Sequence, residues 1–264
     1  MHQPAQLPGR KEALTRGDVA PLEEFLPAVE LRTLVSRHIE AERLATSTVT
    51  VATGAELPPC AYDCGQALTV LEGRALVATE GGFVQLNPLD SLFLPPGSVH
   101  AVRNEGSEPL LFHAAYSSAQ PQRTTAASFD PPEAARQDAL VRRVADQQGY
   151  ELGAGTEFHD LFAQRFGASG ICGGWARFQP GSSLPCHFHE YDESITIVEG
   201  RAVCLVEGRQ YELSGCDTAF VPQGLRHRFL NLSDQPMSMV WVYAGDEPSR
   251  TVVDADCCWK GRSA

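Results

Sequence analysis

The hydrophobic positions of this chain predict a series of short β-strands. Met237–Tyr243 alternates with the two-residue period of a strand, and Ile195–Val198 is rich in β-branched residues. Nearer the start, Val29–Ile39 and Val49–Ala52 have the character of further strands. A turn signal, Glu199–Arg201, follows one of these segments directly. The pattern therefore favours a chain built mainly from strands and turns.

Three other segments lack this alternation. Residues 1–20 are expected to form a loose arm, and residues 247–264 an extended tail. Ser117–Ser128 is rich in Ser, Gln, Thr and Ala, which is typical of a linker. An acidic N-cap, a proline at N1 and a glutamate at N3 then predict a helix from Asp130 through Val144 that stops before Gly149.

The chain contains one unit twice, because a constant offset of 127 residues maps the second half on the first. Gly181 falls on Gly54, since 181 minus 127 is 54, and Glu199-Gly200-Arg201 falls on Glu72-Gly73-Arg74. Further matches are Asp217 with Asp90, Pro222 with Pro95, Gly224 with Gly97, His227 with His100 and Asn231 with Asn104. A repeat of this length indicates two copies of a domain.

Three histidines and one glutamate in the second copy form a candidate metal site. His187 and His189 are two apart, so on a strand they project to one face, and Glu193 lies at an even offset from both. His227 follows a Pro-Gln-Gly turn from which a returning strand could bring it to the others. Imidazole with carboxylate suits Fe, Mn, Ni or Zn, and an octahedral ion would keep two positions open. The alternative is surface histidines that never meet.

These residues resemble the two sequence motifs of the cupin family. The first, G-x5-H-x-H-x3-E-x6-G, is matched throughout by Gly181, His187, His189, Glu193 and Gly200. The second, G-x5-P-x-G-x2-H-x3-N, is matched with one extra residue by Gly215, Pro222, Gly224, His227 and Asn231. The resemblance implies an all-β fold of two tandem antiparallel jelly-roll barrels, joined here by the short linker helix. It also implies that His187, His189, Glu193 and His227 hold one divalent transition metal ion.

The first copy lacks this ligand set. Its equivalent residues are Cys60, Tyr62, Gln66 and His100, of which only the histidine is retained. A metal-free first barrel is expected, although a soft metal on these four residues, or a small molecule in an unmetallated cavity, stays open. The expected organisation is an arm at 1–20, a first barrel at 21–117, a linker with helix at 118–153, a metal-binding barrel at 154–246 and a tail at 247–264.

Charge and composition exclude some partners. The formal net charge of −12 among 264 residues, with no cluster of Lys and Arg, argues against a nucleic-acid partner. No stretch reaches the roughly 20 apolar residues of a membrane span, and the first residues lack the apolar core of a signal peptide. A cytoplasmic protein is the expectation, and the resemblance implies a homodimer.

Strand parity also gives candidates for the wall of the substrate pocket. Arg177, which shares a face with Trp175, would suit a carboxylate-bearing substrate, although a solvated surface arginine is the alternative. Asp192 is expected to face water, and Glu190 is either a base or solvated. The other candidates share a face with a ligand or lie on the last strand; they are Ile195, Ile197, Phe229, Trp241 and Tyr243.

The resemblance implies a mononuclear metalloenzyme, most simply a dioxygenase-type oxidoreductase acting on a small organic acid or phenolic compound. The same site could instead use its metal as a Lewis acid, in an isomerase, decarboxylase or hydrolase. A third reading is a non-catalytic protein that binds a sugar or an acid. No catalytic residue can be assigned from the sequence, because cupins support many reactions.

Overall fold

The computed structural model describes residues 10–26, 28–126, 131 and 141–253. Within these residues the protein is built almost entirely from antiparallel strands, with three short 3-10 turns. Across the same residues, no helix has the length and apolar character needed to cross a membrane. The strands form two tandem jelly-roll barrels, each made of two facing sheets.

The first barrel has a sheet of order β13-β9-β6-β11-β4-β3-β2 and a sheet of order β12-β5-β10-β7-β8. Its strands are β2 (Leu22–Leu26), β3 (Val29–Val35), β4 (Ala45–Val51), β5 (Glu56–Tyr62), β6 (Gln66–Glu72), β7 (Ala75–Thr79), β8 (Gly82–Leu86), β9 (Asp90–Leu94), β10 (His100–Asn104), β11 (Leu110–Tyr116), β12 (Arg123–Thr125) and β13 (Val141–Arg143). Buried aliphatic side chains from both sheets fill its interior.

The second barrel has a sheet of order β1-β20-β17-β22-β15-β14 and a sheet of order β19-β18-β21-β16-β23. Its strands are β1 (Ala13–Thr15), β14 (Thr156–Phe162), β15 (Cys172–Phe178), β16 (His187–Phe188), β17 (Glu193–Glu199), β18 (Arg201–Val206), β19 (Arg209–Ser214), β20 (Thr218–Val221), β21 (His227–Leu230), β22 (Met237–Tyr243) and β23 (Thr251–Val252). The metal motif lies on its β16, β17 and β21.

Strand β22 shows why the barrels stay together, because both of its faces are buried. Met239, Trp241 and Tyr243 pack in the interior of the second barrel, whereas Val240 and Val242 pack between the two barrels. There they contact an apolar layer that includes side chains of the first barrel: Leu44, Ala67, Leu71 and Ala115. Burial of apolar surface on both faces of one strand holds the barrels as a single body.

Polar side chains are buried in the same interface. Thr196 Oγ1 lies 2.9 Å from Thr218 Oγ1 and 3.3 Å from His113 Nε2, and Thr46 Oγ1 lies 3.1 Å from Ser194 Oγ. Burial lowers the pKa of His113 to about 4, so its imidazole is neutral near pH 7. These hydrogen bonds fix how one sheet faces the other.

Each half of the chain contributes one strand to the barrel of the other half. Strand β1 pairs with β20 of the second barrel, and β13 pairs with β9 of the first barrel. Two ion pairs separated by the repeat offset accompany the exchange: Arg16 Nη1 lies 2.7 Å from Asp217 Oδ2, and Arg143 Nε lies 3.4 Å from Asp90 Oδ2. The described part of the arm is therefore anchored and not loose.

The prediction of a linker helix is wrong for the residues at its C-terminal end. Val141–Arg143 forms strand β13, and Val144–Asp146 forms a single 3-10 turn. The addition of β13 to a sheet edge outweighs the capping signals, which act only locally. The start of the predicted helix, at 130 and 132–140, lies outside the described residues.

The motif glycine Gly200 occupies a turn that a side chain would block. Its φ is +75°, and a Cβ there would lie 2.5 Å from the carbonyl oxygen of Pro236. The equivalent Gly73 has φ +81° and would place a Cβ 2.9 Å from the Pro109 oxygen. Both repeats thus need glycine at this position for the same steric reason.

Candidate metal centre

The structure brings the four motif residues together inside the second barrel. Their candidate ligand atoms all lie within 4.8 Å of one another, and all four side chains are buried. His187 on β16 is the direct cross-strand partner of His227 at the start of β21. Glu193 opens β17, and His189 lies in the loop that joins β16 to β17. The paired strands β16 and β21, the strand β17 and the loop between β16 and β17 therefore bring the four residues together.

Backbone carbonyls fix which ring nitrogen of each histidine faces the centre. Nδ1 of His187, His189 and His227 lies 2.9, 2.6 and 3.0 Å from the carbonyl oxygens of Pro185, Ser249 and Leu225 respectively. A carbonyl only accepts, so each Nδ1 carries the hydrogen and each Nε2 presents a lone pair. This is the arrangement that holds metal-binding histidines in position.

The inward-facing atoms fit a dipositive ion. His189 Nε2, His227 Nε2 and Glu193 Oε2 are buried, and no described group outside the four-residue set hydrogen-bonds to them. Glu193 Oε2 lies 2.7 Å from His227 Nε2 and 3.3 Å from His189 Nε2, close enough to share one ion. Buried polar atoms without partners are costly, and a metal bound by all of them would remove that cost.

The charge states suit the same conclusion. Burial raises the pKa of Glu193, but the adjacent His189 and His227 outweigh it and hold the pKa below its usual range. Burial, with the neighbouring His227 and His189, lowers the pKa of His187 well below its usual value. Burial lowers the pKa of His227, but the adjacent Glu193 carboxylate outweighs it and raises that pKa above its usual value, so a metal ion would displace a proton there. Carboxylate and imidazole are the donor types of Mn, Fe, Ni and Zn sites.

Aromatic side chains form one side of the centre. Tyr243 is the cross-strand partner of Glu193, and its ring centroid lies 4.4 Å from that of His189. The ring of Tyr191 stacks on the His189 ring with their centroids 5.6 Å apart, and the Trp241 ring centroid lies 4.8 Å from that of Tyr243. The remaining apolar candidates lie in the core cluster of the same barrel: Ile195, Ile197 and Phe229.

Arg177 is placed differently from the sequence expectation. It lies on the face of β15 opposite to Ala176 and Phe178, which pack inside the second barrel. It shares its face with Trp175, which packs between the barrels. Because strand neighbours alternate, Arg177 does not line the metal centre, and the expectation is corrected.

Asp192 also departs from expectation, because it is buried and does not face water. Its carboxylate accepts hydrogen bonds from the Arg10 guanidinium at 2.9 and 2.7 Å and from the Gln223 amide at 3.0 Å. It therefore ties the start of the described chain to the metal-binding barrel. Glu190 is exposed.

Arg250 is a candidate site residue that sequence reasoning missed. It belongs to residues 247–252, here called the C-terminal strap, whose Ser249 carbonyl orients His189. Arg250 Nη2 donates to the Leu152 carbonyl at 3.2 Å, whereas Nη1 is buried with no hydrogen-bond partner in the described chain. Burial lowers the pKa of Arg250, and the nearby Tyr243, Tyr150 and Glu193 oppose that shift. The internal repeat could have indicated this residue, because the equivalent position in the first copy, 250 minus 127, is also an arginine, Arg123.

Comparison with known proteins agrees with these observations. The Cupin_2 family, described as a cupin domain, matches residues 47–116 and 174–243. Oxalate decarboxylase from Bacillus subtilis at pH 4.6 superposes with a TM-score of 0.76 at 14% identity, over 91% of this chain and 78% of that one. A further structure of that enzyme, described by its Mn(II) centres, gives 0.77 at 14% identity, over 91% of this chain and 79% of that one. At this identity the likeness concerns the fold.

Two curated relatives come from Streptomyces. The chain is 33% identical over 86 residues to the polyketide synthase CurC of Streptomyces cyaneus, covering 31% of this chain and 56% of the relative. It is 32% identical over 69 residues to the tetracenomycin polyketide synthase protein TcmJ of Streptomyces glaucescens, covering 26% and 46%. The chain thus spans about half the length of these relatives. Both family matches, one in each barrel, establish that the chain belongs to the cupin family and is a bicupin with a His/Glu metal site in its second barrel.

Proposed function

We propose that this bicupin is a metal-dependent enzyme acting on a small organic acid or phenolic compound. The observation that carries the proposal is the pairing of the four-ligand set with Arg250, whose buried Nη1 has no hydrogen-bond partner in the described chain. A guanidinium with an unused donor beside a metal-binding set is suited to a carboxylate, which it can hold with charge-assisted hydrogen bonds.

The surrounding side chains would bind and orient the substrate. Burial raises the pKa of Tyr191 to about 12 and that of Tyr243 well above its usual value, so both phenols keep their protons near pH 7. Tyr243 can therefore donate a hydrogen bond to an anionic substrate but is not a base, whereas the Tyr191 hydroxyl already donates to the Ser249 carbonyl at 2.8 Å and holds the C-terminal strap in place. We assign the apolar wall that excludes water to Ile195, Ile197, Phe229 and Trp241.

A bound divalent ion would supply Lewis acidity and, for Fe or Mn, redox chemistry with dioxygen. Dioxygenase-type oxidation is the leading proposal, because His187, His189, Glu193 and His227 would hold an Fe or Mn ion, which would supply that redox chemistry. Decarboxylation is the second candidate. It is favoured by Arg250, which would hold a carboxylate against the metal, and by the resemblance of the fold to oxalate decarboxylase.

Oxygen and carbon dioxide balances distinguish the two reactions. Protein loaded separately with Fe(II), Mn(II), Ni(II) or Zn(II) is given a panel of dicarboxylates and phenolic acids. Stoichiometric oxygen uptake with both atoms in the product supports the dioxygenase, whereas carbon dioxide release without net oxygen consumption supports the decarboxylase. Binding of an acid with no turnover by any loaded form would instead indicate a non-catalytic acid-binding protein.

The Arg250→Gln variant tests the assigned carboxylate anchor. It should raise KM for an acid substrate about tenfold or more while metal content stays unchanged, because a charged hydrogen bond is lost and no ligand is touched. Arg177→Gln is the matched control, since that arginine lies on the face of β15 that points away from the metal centre. An equal effect of both variants would contradict the role of Arg250.

We also propose a homodimer as the assembled form, on the basis of the family. Sedimentation equilibrium of purified protein measures this, and a mass of one chain at micromolar concentration would overturn it.

A further inference from the structure

The first barrel contains a cavity of about 610 Å³ that is separate from the metal centre. Its volume lies within the range of small-molecule binding sites. Strands β3, β4 and β11, one end of β5 and the segment before β12 surround it. Its lining includes apolar surface from Leu31, Ala45, Ala119 and Pro121, and hydroxyl groups from Thr33, Ser36, Ser47, Tyr62 and Tyr116.

The charged lining of this cavity is entirely of basic type. Arg37, His38 and Arg123 contribute to the wall, and no Asp or Glu does so. The basic lining contrasts with the formal net charge of −12 of the whole chain. A concave wall of one sign attracts ions of the opposite sign, here small anions.

Two tyrosines form an inner wall, in which Tyr116 donates to the Tyr62 oxygen and Tyr62 keeps its own hydroxyl hydrogen for a ligand. The hydroxyl oxygens of Tyr62 and Tyr116 lie 3.5 Å apart, and their ring centroids lie 4.9 Å apart. Burial raises the pKa of Tyr62 to about 12, so its hydroxyl stays protonated near pH 7. Next to Tyr62 lies His100, whose ring centroid is 6.4 Å away.

Buried polar atoms near these tyrosines have unused hydrogen-bonding capacity. His100 Nε2 and Gln66 Oε1 are buried, and the described residues provide neither with a hydrogen-bond partner. Arg123 lies close to Cys60. Burial raises the pKa of the Cys60 thiol, and the hydrogen bond and positive charge of Arg123 partly offset that rise. The arginine therefore extends from the cavity wall toward the residues that replace the metal ligands.

The repeat relates this cavity to the metal centre. At the offset of 127, Tyr116 corresponds to Tyr243 and Arg123 to Arg250, so both barrels keep the same tyrosine and arginine. Cys60 replaces His187, Tyr62 replaces His189 and Gln66 replaces Glu193, so the carboxylate and two of the three imidazoles are lost. The first barrel thus retains groups for an organic acid and lacks the four-ligand set.

We propose that the first-barrel cavity is a metal-independent binding site for a small carboxylate with an apolar or aromatic body. Arg123 and Arg37 receive the carboxylate, and the apolar surface with the two tyrosine rings receives the body. The site is distinct from the one assigned to the reaction, and it does not depend on metal or turnover.

Calorimetric titration with benzoate tests this site. The protein is stripped of metal and carries Arg250→Gln, which removes the anchor of the second barrel. One benzoate site should remain, and benzyl alcohol, the uncharged analogue, should bind at least about tenfold more weakly. Absence of benzoate binding in this background would overturn the proposal.

Variants locate the site. In the same background, Arg123→Gln should weaken benzoate about tenfold, whereas Arg103→Gln, an exposed residue outside the cavity lining, should leave it unchanged. Should Arg123→Gln fail to fold, Tyr116→Phe with Arg37→Gln replaces it as the test. Unchanged affinity in the folded cavity variants would overturn the proposal, and this result would leave the metal-dependent function untouched.

Discussion

At the scale of single residues, the three histidines of the centre are not held in the same way. His187 and His227 each donate to a carbonyl two residues earlier in the chain, Pro185 and Leu225. His189 instead donates to Ser249, which lies 60 residues later. The orientation of His189 therefore depends on the C-terminal strap, which also carries Arg250.

Metal content distinguishes the true ligands from the retained histidine of the first barrel. His187→Ala and His227→Ala should each abolish metal retention through dialysis, because each removes one imidazole ligand and so weakens the affinity of the set. His100→Ala should retain the wild-type metal content, since its neighbours are Cys60, Tyr62 and Gln66. Elemental analysis of dialysed protein measures this, and equal metal content in all three variants would refute the assignment.

Residue positions were predictable to different degrees. The ligands followed from spacing and motif, because i and i+2 on a strand share a face whatever the surroundings. Arg177 could not be placed, since β15 is buried on both faces and the pattern does not say which face is the interior. Arg250 lies in a segment without periodicity, so only the repeat could have indicated it.

At the scale of elements, the exchanged strands β1 and β13 explain why the predicted arm and helix differ from the structure. Both segments are too short and too polar to show strand alternation, and each becomes a strand only by pairing with an existing sheet edge. Such pairing is a long-range effect that local propensity does not contain. The barrels themselves were predictable because their signals repeat.

Asp217 is the polar anchor beside Arg16, where β1 ends, and its loss should loosen this part of the arm. It accepts hydrogen bonds from Arg16 at 2.7 Å and from the Gly17 and Ser214 amides at 3.0 Å. Asp217→Ala should weaken attachment of the arm by roughly 1–3 kcal/mol, because buried amides lose their acceptor. Tryptic cleavage at Arg16 should accelerate about tenfold.

The control for this experiment is Asp234→Ala, because Asp234 is exposed. Cleavage of that variant should proceed at the wild-type rate. If Asp217→Ala were also cleaved at the wild-type rate, the anchor would contribute nothing to holding β1 in place.

At the scale of the whole molecule, the interface between the barrels contains a titratable group. His113 has a pKa of about 4 when folded, and an unfolded histidine has a pKa of about 6.5. The unfolded chain therefore binds the proton more readily, so this contribution to stability is present above pH 6.5 and is lost as the pH falls toward 4.

The expected loss is about 2 kcal/mol between pH 7 and pH 5 for metal-free protein. Urea unfolding at both pH values measures it. His113→Gln, which cannot titrate, should show a pH dependence smaller by this amount, with remaining changes coming from other groups. An equal pH dependence in both proteins would contradict the buried neutral histidine.

Strand exchange has a further consequence for how the chain can be divided. If the chain is cut between residues 126 and 141, the first fragment keeps β1 but loses β13, and the second keeps β13 but loses β1. Each fragment then carries an unpaired sheet edge together with the piece that completes the other. Produced alone, each should aggregate or unfold; produced together, they should reassemble into a complex that copurifies and regains its metal. Independent folding of both fragments would mean that neither barrel needs the exchanged strand. Reassembly only on coexpression would mean that the two fragments complement each other as a split protein.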